Sequence, residues 1–295
     1  MKLTILKISL FIIIIIFFNI AYLKYLKEYD LEFNKTVEIS KMKGRAFDCI
    51  VLGNSVVYDG IDTEYLTNQG LSSYNFALGG ENLKSNYIQL NQYLVNNRKP
   101  KIVLLGLSPG ESYDEYTGEP SIHPIIEYNY NLLNRHSIRS IPMIKFQWLA
   151  IEIIKKIISK DHRKAKVVMG QLRTTKTIPD NTNYNNKIKQ TITIDEYKGA
   201  KYLLKIDSLC KKNKIILLAI GMPGYRETQN MASTGVHLLN FNNNQITYIN
   251  LNSKDFCSST FNAEKDWLGN SHLNMYGARK LTEYLYNNYL KRYNY

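Results

Sequence analysis

Ser55 and His272 are the two residues of this chain best suited to do chemistry together. Ser55 closes the run Cys49-Ile50-Val51-Leu52-Gly53-Asn54-Ser55, an apolar stretch that ends in a glycine and two polar residues. His272 opens His272-Leu273-Asn274, directly ahead of a helical C-terminal segment. A serine on a strand-to-helix turn is presented to an electrophile, but it stays a weak nucleophile until a base takes its proton. A histidine on a late loop can be that base, and its other ring nitrogen then needs an acceptor to orient it. The pair predicts nucleophilic acyl chemistry.

The rest of the chain offers little competing chemistry. It has no Gly-x-x-x-x-Gly-Lys-Ser/Thr phosphate loop and no His-Glu-x-x-His zinc pattern. His123, His136, His162 and His237 lack ligand spacing and read as solvated surface residues. Cys49, Cys210 and Cys257 are odd in number and have no Cys-x-x-Cys spacing, which argues against a disulfide framework and a zinc site. Cys49 and Cys210 lie in apolar contexts and read as small core residues. No cofactor and no metal are expected. The formal charge of +13, with pI near 9.4, suits an anionic glycan or acidic lipid head groups. No zinc-knuckle, helix-turn-helix or RNP-type pattern accompanies that charge, so nucleic acid is not an expected partner.

Those two residues need a scaffold. Phe47–Leu52, Ser73–Leu78, Lys101–Leu107, Lys214–Ile220 and Gln245–Leu251 are short apolar runs that read as five strands of a buried, mostly parallel sheet. Helical stripes separate several of them: Leu83, Tyr87, Leu90 and Leu94; Ala200, Leu203, Ile206 and Cys210; and finally Ala278, Leu281 and Leu285, with Asn274 placed as N-cap. Alternating strands and helices predict a three-layer α/β/α domain over 46–292. In such sheets sites gather at the carboxyl ends of strands. Ser55, Gly79-Gly80 and Ser108 all fall just past strand ends, and the turn Gly221-Met222-Pro223-Gly224 borders the same rim.

Two segments stand outside this pattern. Ile8–Leu23 is 16 residues without a charge, flanked by Lys2, Lys7, Lys24 and Lys27. At ~1.5 Å per residue it spans ~24 Å, and snorkelling lysines and tyrosines close the gap to a ~30 Å hydrocarbon layer. No clear small-x-small cleavage site follows it. Residues 1–24 are therefore expected to be a signal anchor or transmembrane helix, with a cleaved signal peptide as the alternative, 25–45 as a charged, partly helical stalk, and the remaining chain exported either way. Residues 108–194 are too long for a simple crossover and read as an insertion. Its middle, Ile141–Lys160, is an apolar helix candidate containing Phe146 and Trp148, expected to pack on the domain, with a membrane-surface helix as the other reading. Thr174–Thr193 is polar and reads as a loop.

The chain resembles the SGNH (GDSL-type) hydrolases over roughly 46–292, in particular a membrane-anchored branch near polysaccharide O-acetylation proteins. The likeness rests on Val51-Leu52-Gly53-Asn54-Ser55, on Tyr74-Asn75-Phe76-Ala77-Leu78-Gly79-Gly80, and on the His-Leu-Asn-x-x-Gly-Ala run from His272 to Ala278. It implies a flavodoxin-like parallel sheet, Ser55 as nucleophile and His272 as base. The Ser55 and Gly80 amides are implied as oxyanion donors, with Asn54 and Asn75 among the substrate contacts. The family's oxyanion Asn is replaced here by the run Gly106-Leu107-Ser108-Pro109, which leaves the Ser108 hydroxyl as a substitute donor. The family's acid, three residues before the histidine, is Gly269 in this chain. Asp266, Asp255 or a main-chain carbonyl is then left to orient His272. The resemblance further implies a cell-envelope polysaccharide or acylated glycan as substrate, with a membrane-bound acyl-delivery protein as partner. An acyl-enzyme resolved by water makes an esterase, and one resolved by a sugar hydroxyl makes an O-acetyltransferase. A fold retained for glycan binding or assembly without catalysis is the alternative.

Overall fold

The computed structural model describes residues 2–108, 123–130, 141–159, 166–177, 201–225, 232–241, 244–269 and 272–293. Ala200, His136, His162, Asn270 and most of Thr174–Thr193 lie outside these residues. In chain order the elements begin with helices α1 (Lys2–Tyr29) and α2 (Leu31–Ser40). Next come strand β1 (Cys49–Leu52), helices α3 (Ser55–Gly60) and α4 (Thr63–Asn68), strand β2 (Ser73–Asn75), helix α5 (Leu83–Asn96) and strand β3 (Ile102–Leu107). Helices α6 (His123–Asn129), α7 (Pro142–Lys145) and α8 (Gln147–Ser159) are followed by a small hairpin, β4 (Lys166–Val168) and β5 (Gln171–Arg173). Helix α9 (Lys201–Asn213), strands β6 (Ile216–Gly221), β7 (Gly235–Phe241) and β8 (Asn244–Asn250), and helices α10 (Lys254–Thr260) and α11 (Met275–Leu285) follow, with a π-helical turn over Tyr286–Leu290 and a 3-10 turn over Lys291–Tyr293 after α11.

The chain divides into two compact units, Met1–Lys41 with His123–Arg163, and Met42–Ile122 with Lys164–Tyr295. The second unit is built on a six-stranded sheet of order β2-β1-β3-β6-β8-β7. Five strands are parallel neighbours, and β7 joins the β8 edge antiparallel. The chain leaves β1 for the edge strand β2, then crosses back to form β3 on the other side of β1. That reversal opens a crevice at the carboxyl ends of β1 and β3. Both faces of β1 and β3 are buried throughout. Cys49, Val51, Ile102, Leu104, Leu218 and Ile220 face one apolar core, shared with Val56 and Val57 of α3 and Leu281 and Leu285 of α11. Their alternates Ile50, Leu52, Val103 and Leu105 are equally buried on the other face. Alternation along a strand sends successive side chains to opposite faces, which is why these strands read as unbroken apolar runs.

The sheet differs from the expected five strands by β7. Val236 and Leu238 remain more than half exposed while Leu239 is buried, so β7 carries the mixed pattern of an edge strand rather than a continuous apolar run. The expected helix over Ile141–Lys160 is broken at Phe146 into α7 and α8.

The first unit is helical. α1 has 28 residues, ~42 Å of helix, and its hydropathy and length suffice to cross a membrane. Its residues up to Ile20 are largely exposed, whereas Leu26 is fully buried. α2 starts on an Asp30 cap and buries Phe33, Lys35, Thr36 and Ile39. Phe146, 0% exposed, is the hub, with ring centroids 5.5 Å from Phe33 and 5.2 Å from Tyr128. This unit includes α6 to α8, so part of the insertion packs with the N-terminal helices.

Candidate active site

The turn after β1 is shaped by what Gly53 lacks. Its φ is +153°, and a Cβ there would sit 2.3 Å from a Val57 methyl, so no side chain fits. The Gly53 amide donates to Asn86 Oδ1 at 2.7 Å. Asn54 is the N-cap of α3: its Oδ1 accepts from the Val56 amide at 3.1 Å and from the Ser108 hydroxyl at 2.8 Å. Ser55 is thereby the first residue of α3, half-buried at the mouth of the crevice. Asn86 and Ser108 come from α5 and from the end of β3, so three elements fix the bend.

His272 is held by its own loop. Its carbonyl accepts from the Leu268 amide at 2.8 Å, and Leu273 is bridged to Trp267. Asn274 ties this loop down. Its Oδ1 caps α11 by accepting from the Tyr276 and Gly277 amides. Its Nδ2 donates to the carbonyls of Lys265 at 2.6 Å and Lys176 at 3.2 Å. With the loop so placed, His272 Nε2 lies 2.9 Å from Ser55 Oγ. Burial holds the imidazole below its ordinary pKa of 6.5, because a low-dielectric setting penalises the charged ring. A neutral ring protonated on Nδ1 accepts the Ser55 hydroxyl hydrogen at Nε2, which is the ground state of general-base activation.

The other residues expected at the site take different places. Asp266 is buried, but its Oδ2 accepts from Lys280 Nζ and from the Asn262 amide, each at 2.6 Å. Six residues before the histidine, it sits under the loop and anchors it to α11 rather than reaching the ring. Asp255 is an exposed residue in the first turn of α10. Among the described residues no carboxylate is bonded to His272. The Ser108 hydroxyl spends its hydrogen on Asn54, so it positions the turn instead of facing an oxyanion. Asn54 is likewise occupied as a cap. Asn75 is fully buried: its Nδ2 donates to the Val57 carbonyl and its Oδ1 accepts from the Ala77 amide, both at 2.9 Å. It cross-links β2 to α3 and has no reach to a substrate.

Gly80 lies exposed in a turn with φ +66° and open space where a side chain would be. Among the described residues neither the Ser55 amide nor the Gly80 amide has an acceptor, which leaves both as donors. Glu81 steadies that turn by accepting from the Leu78 amide at 3.1 Å and from Gln89. Asn86, Glu81 and Gln89 were not readable as site residues. The only hint was that α5 turns a half-polar stripe inward, Ser85, Asn86 and Gln89 beside Leu90. The β4–β5 hairpin also escaped sequence reading. Gln171 Nε2 donates to the Asp59 carbonyl at 3.0 Å, and Met169 O accepts from the Asn75 amide at 3.0 Å, so the hairpin braces α3 from outside.

Cys49, Cys210 and Cys257 are buried, and burial pushes each thiol up to about 12. None is a nucleophile at neutral pH. Among the described residues no cluster of His, Cys, Asp and Glu is placed to hold a metal ion.

No protein-family model matches this chain. No curated protein matches it either. A solved structure from Streptococcus pneumonia, provisionally described as a platelet activating factor, is similar over 95% of this chain and 99% of its own length, at 10% identity and a TM-score of 0.38. A likeness at that level assigns neither family nor activity.

Proposed function

We propose that this protein carries out serine-dependent acyl-ester chemistry, as an esterase or O-acetyltransferase of the SGNH type acting on a cell-envelope polysaccharide. The observation that carries this reading is the 2.9 Å contact between Ser55 Oγ and His272 Nε2 at the carboxyl edge of the sheet. The strand order supports a flavodoxin-like, three-layer domain, in which this crevice is the usual place for a site. As Ser55 Oγ attacks the acyl carbonyl, His272 Nε2 takes the hydroxyl proton. The oxyanion forms against the amides of Ser55 and Gly80. Collapse of the tetrahedral intermediate breaks the ester C–O bond, and His272 returns the proton to the departing alcohol. Water or a sugar hydroxyl then attacks the acyl-serine and gives its proton to His272 Nε2, the acyl C–O bond to Ser55 breaks, and His272 returns the proton to Ser55 Oγ. An amide donor that meets the developing charge without reorganisation stabilises such a transition state by about 3 kcal/mol.

The N-terminal helix fits a membrane anchor that holds the enzyme at the envelope, outside the cytoplasm, where a membrane-bound acyl-delivery protein can feed it. The basic charge of the chain suits an anionic glycan.

Labelling with a fluorophosphonate tests the proposal. The folded chain is expected to label at Ser55, and Ser55→Ala is expected to lose the label. Absence of labelling in folded protein overturns it. It would favour the second reading, a non-catalytic glycan-binding or assembly protein, which fits the absence of a bonded carboxylate on His272 among the described residues. Transferase is separated from esterase by whether acetyl from a donor ester appears on an added oligosaccharide or only in water.

A further inference from the structure

The first unit leaves apolar surface uncovered beyond α1. Met143 and Ile144 of α7 are 42% and 45% exposed, and Ile151, Ile154 and Ile158 of α8 are 62%, 54% and 76% exposed. The three α8 residues follow i, i+3 and i+7, so they share one helix face. The opposite side of this segment is anchored: Phe146 and Leu149 are buried, and Phe146 stacks edge-on between Phe33 and Tyr128. The uncovered face is thus a fixed feature of a packed unit.

What covers it follows from where it is attached. The Asn19 side-chain carbonyl accepts from the Met143 amide at 3.1 Å, and the Tyr22 hydroxyl donates to the Phe146 carbonyl. Both bonds fall where α1 passes from the exposed run ending at Ile20 to the buried Leu26. On a membrane-spanning α1 that is the level where hydrocarbon gives way to head groups. Tyr22 and half-buried Trp148 are residue types that gather there. α8 itself cannot span. Its 13 residues give ~20 Å of helix against a ~30 Å layer, and Glu152, Lys155 and Lys156 interrupt its centre. Lys155 is exposed beside Ile151, Ile154 and Ile158, with a stem long enough to reach a phosphate from the edge of an apolar face. Over 145–176 the chain has nine Lys and Arg against two acids, which favours anionic lipid.

We propose that α7–α8 is a second membrane contact, an interfacial helix lying in the lipid surface where α1 emerges, with Met143, Ile144, Ile151, Ile154 and Ile158 in the acyl-chain boundary. The proposal rests on α1 being a membrane span. It replaces a single flexible tether by attachment at two points and sets the height of the first unit against the bilayer.

The test is cysteine labelling of the full chain in nanodiscs of phosphatidylcholine and phosphatidylglycerol, where both leaflets are open to a water-soluble maleimide. The native thiols, buried and pushed up to about 12, stay silent. Ile12→Cys reports the span, Ile154→Cys and Ile158→Cys report the interface, and Lys254→Cys is an exposed reference. Ile12→Cys, Ile154→Cys and Ile158→Cys are expected to label about tenfold or more slowly than Lys254→Cys. Protection of Ile12→Cys together with reference-rate labelling of Ile154→Cys and Ile158→Cys overturns the interfacial helix and leaves the span intact. Reference-rate labelling of Ile12→Cys overturns both. Protection that vanishes when discs hold a single chain assigns the face to a second copy and also overturns the proposal.

Discussion

The role proposed for His272 needs a neutral ring, and its surroundings favour that state. Burial depresses its pKa below 6.5, so kcat/KM is expected to stay level through neutral pH and to fall only as pH drops through that lowered value. A pH–rate profile with an acid limb at or above 6.5 would contradict this. The same shift links to stability: the unfolded chain binds a proton more readily than the folded one below about 6.5, so His272's contribution is complete above that pH and is lost as pH falls. Asp266 gives a sharper test. Were it the orienting acid, Asp266→Asn would cost about 10⁴ in kcat. Its bonds to Lys280 and Asn262 instead predict that the acid limb stays in place, while the thermal midpoint drops with the loss of about 2 kcal/mol from a charged hydrogen bond. The sequence pointed to Ser55 and His272 because both sit in short motifs with a definite element before or after them. It misplaced Asp266, Ser108 and Asn75, since a polar residue near a site reads the same whether it faces substrate or the backbone behind it.

Asn274 and Asn86 show how elements hand position to side chains. Asn274 caps α11 with its oxygen and pins two loops with its nitrogen. Asn274→Ala is expected to cost about 1 kcal/mol for the cap alone, more with the lost donors, and to loosen His272. Asn274→Asp keeps the acceptor and drops the donors. Hydrogen exchange at the Tyr276 and Gly277 amides should stay slow in the Asp variant and quicken in the Ala variant, while turnover falls in both. Asn86→Ala leaves the buried Gly53 amide without its acceptor, a loss of about 1–3 kcal/mol concentrated on the turn that aims Ser55. Denaturant melts and fluorophosphonate labelling rates read the two effects separately. The cap at Asn274 was legible because it precedes an amphipathic helix. The role of Asn86 was not, because it depends on α5 facing the β1 turn, a contact between segments with no shared pattern.

For the molecule as a whole, the exposed apolar length of α1 is the dominant surface feature. Expressed in full, the chain is expected to remain with membranes through washes of about 1 M salt, because hydrophobic insertion is not screened as surface ion pairs are. Release by salt alone would mean that the basic charge, not α1, does the holding. The three buried thiols, all in the second unit, give a readout of its opening: maleimide should reach Cys49, Cys210 and Cys257 only at the rate at which that unit unfolds, and denaturant should bring all three out.

Periodic burial was the part of this structure that the chain carried in plain view. Five apolar runs and the stripes of α9 and α11 each answer to a single local requirement, the removal of apolar surface from water, and local patterning records such requirements directly. The edge strand β7, the β4–β5 brace, the break at Phe146 and the grouping of α6 to α8 with the N-terminal helices depend on pairings between distant segments. So does the 2.9 Å approach of Ser55 to His272. Each motif could announce a residue type, but the distance between them exists only once β1, α3 and the loop before α11 are packed on one sheet.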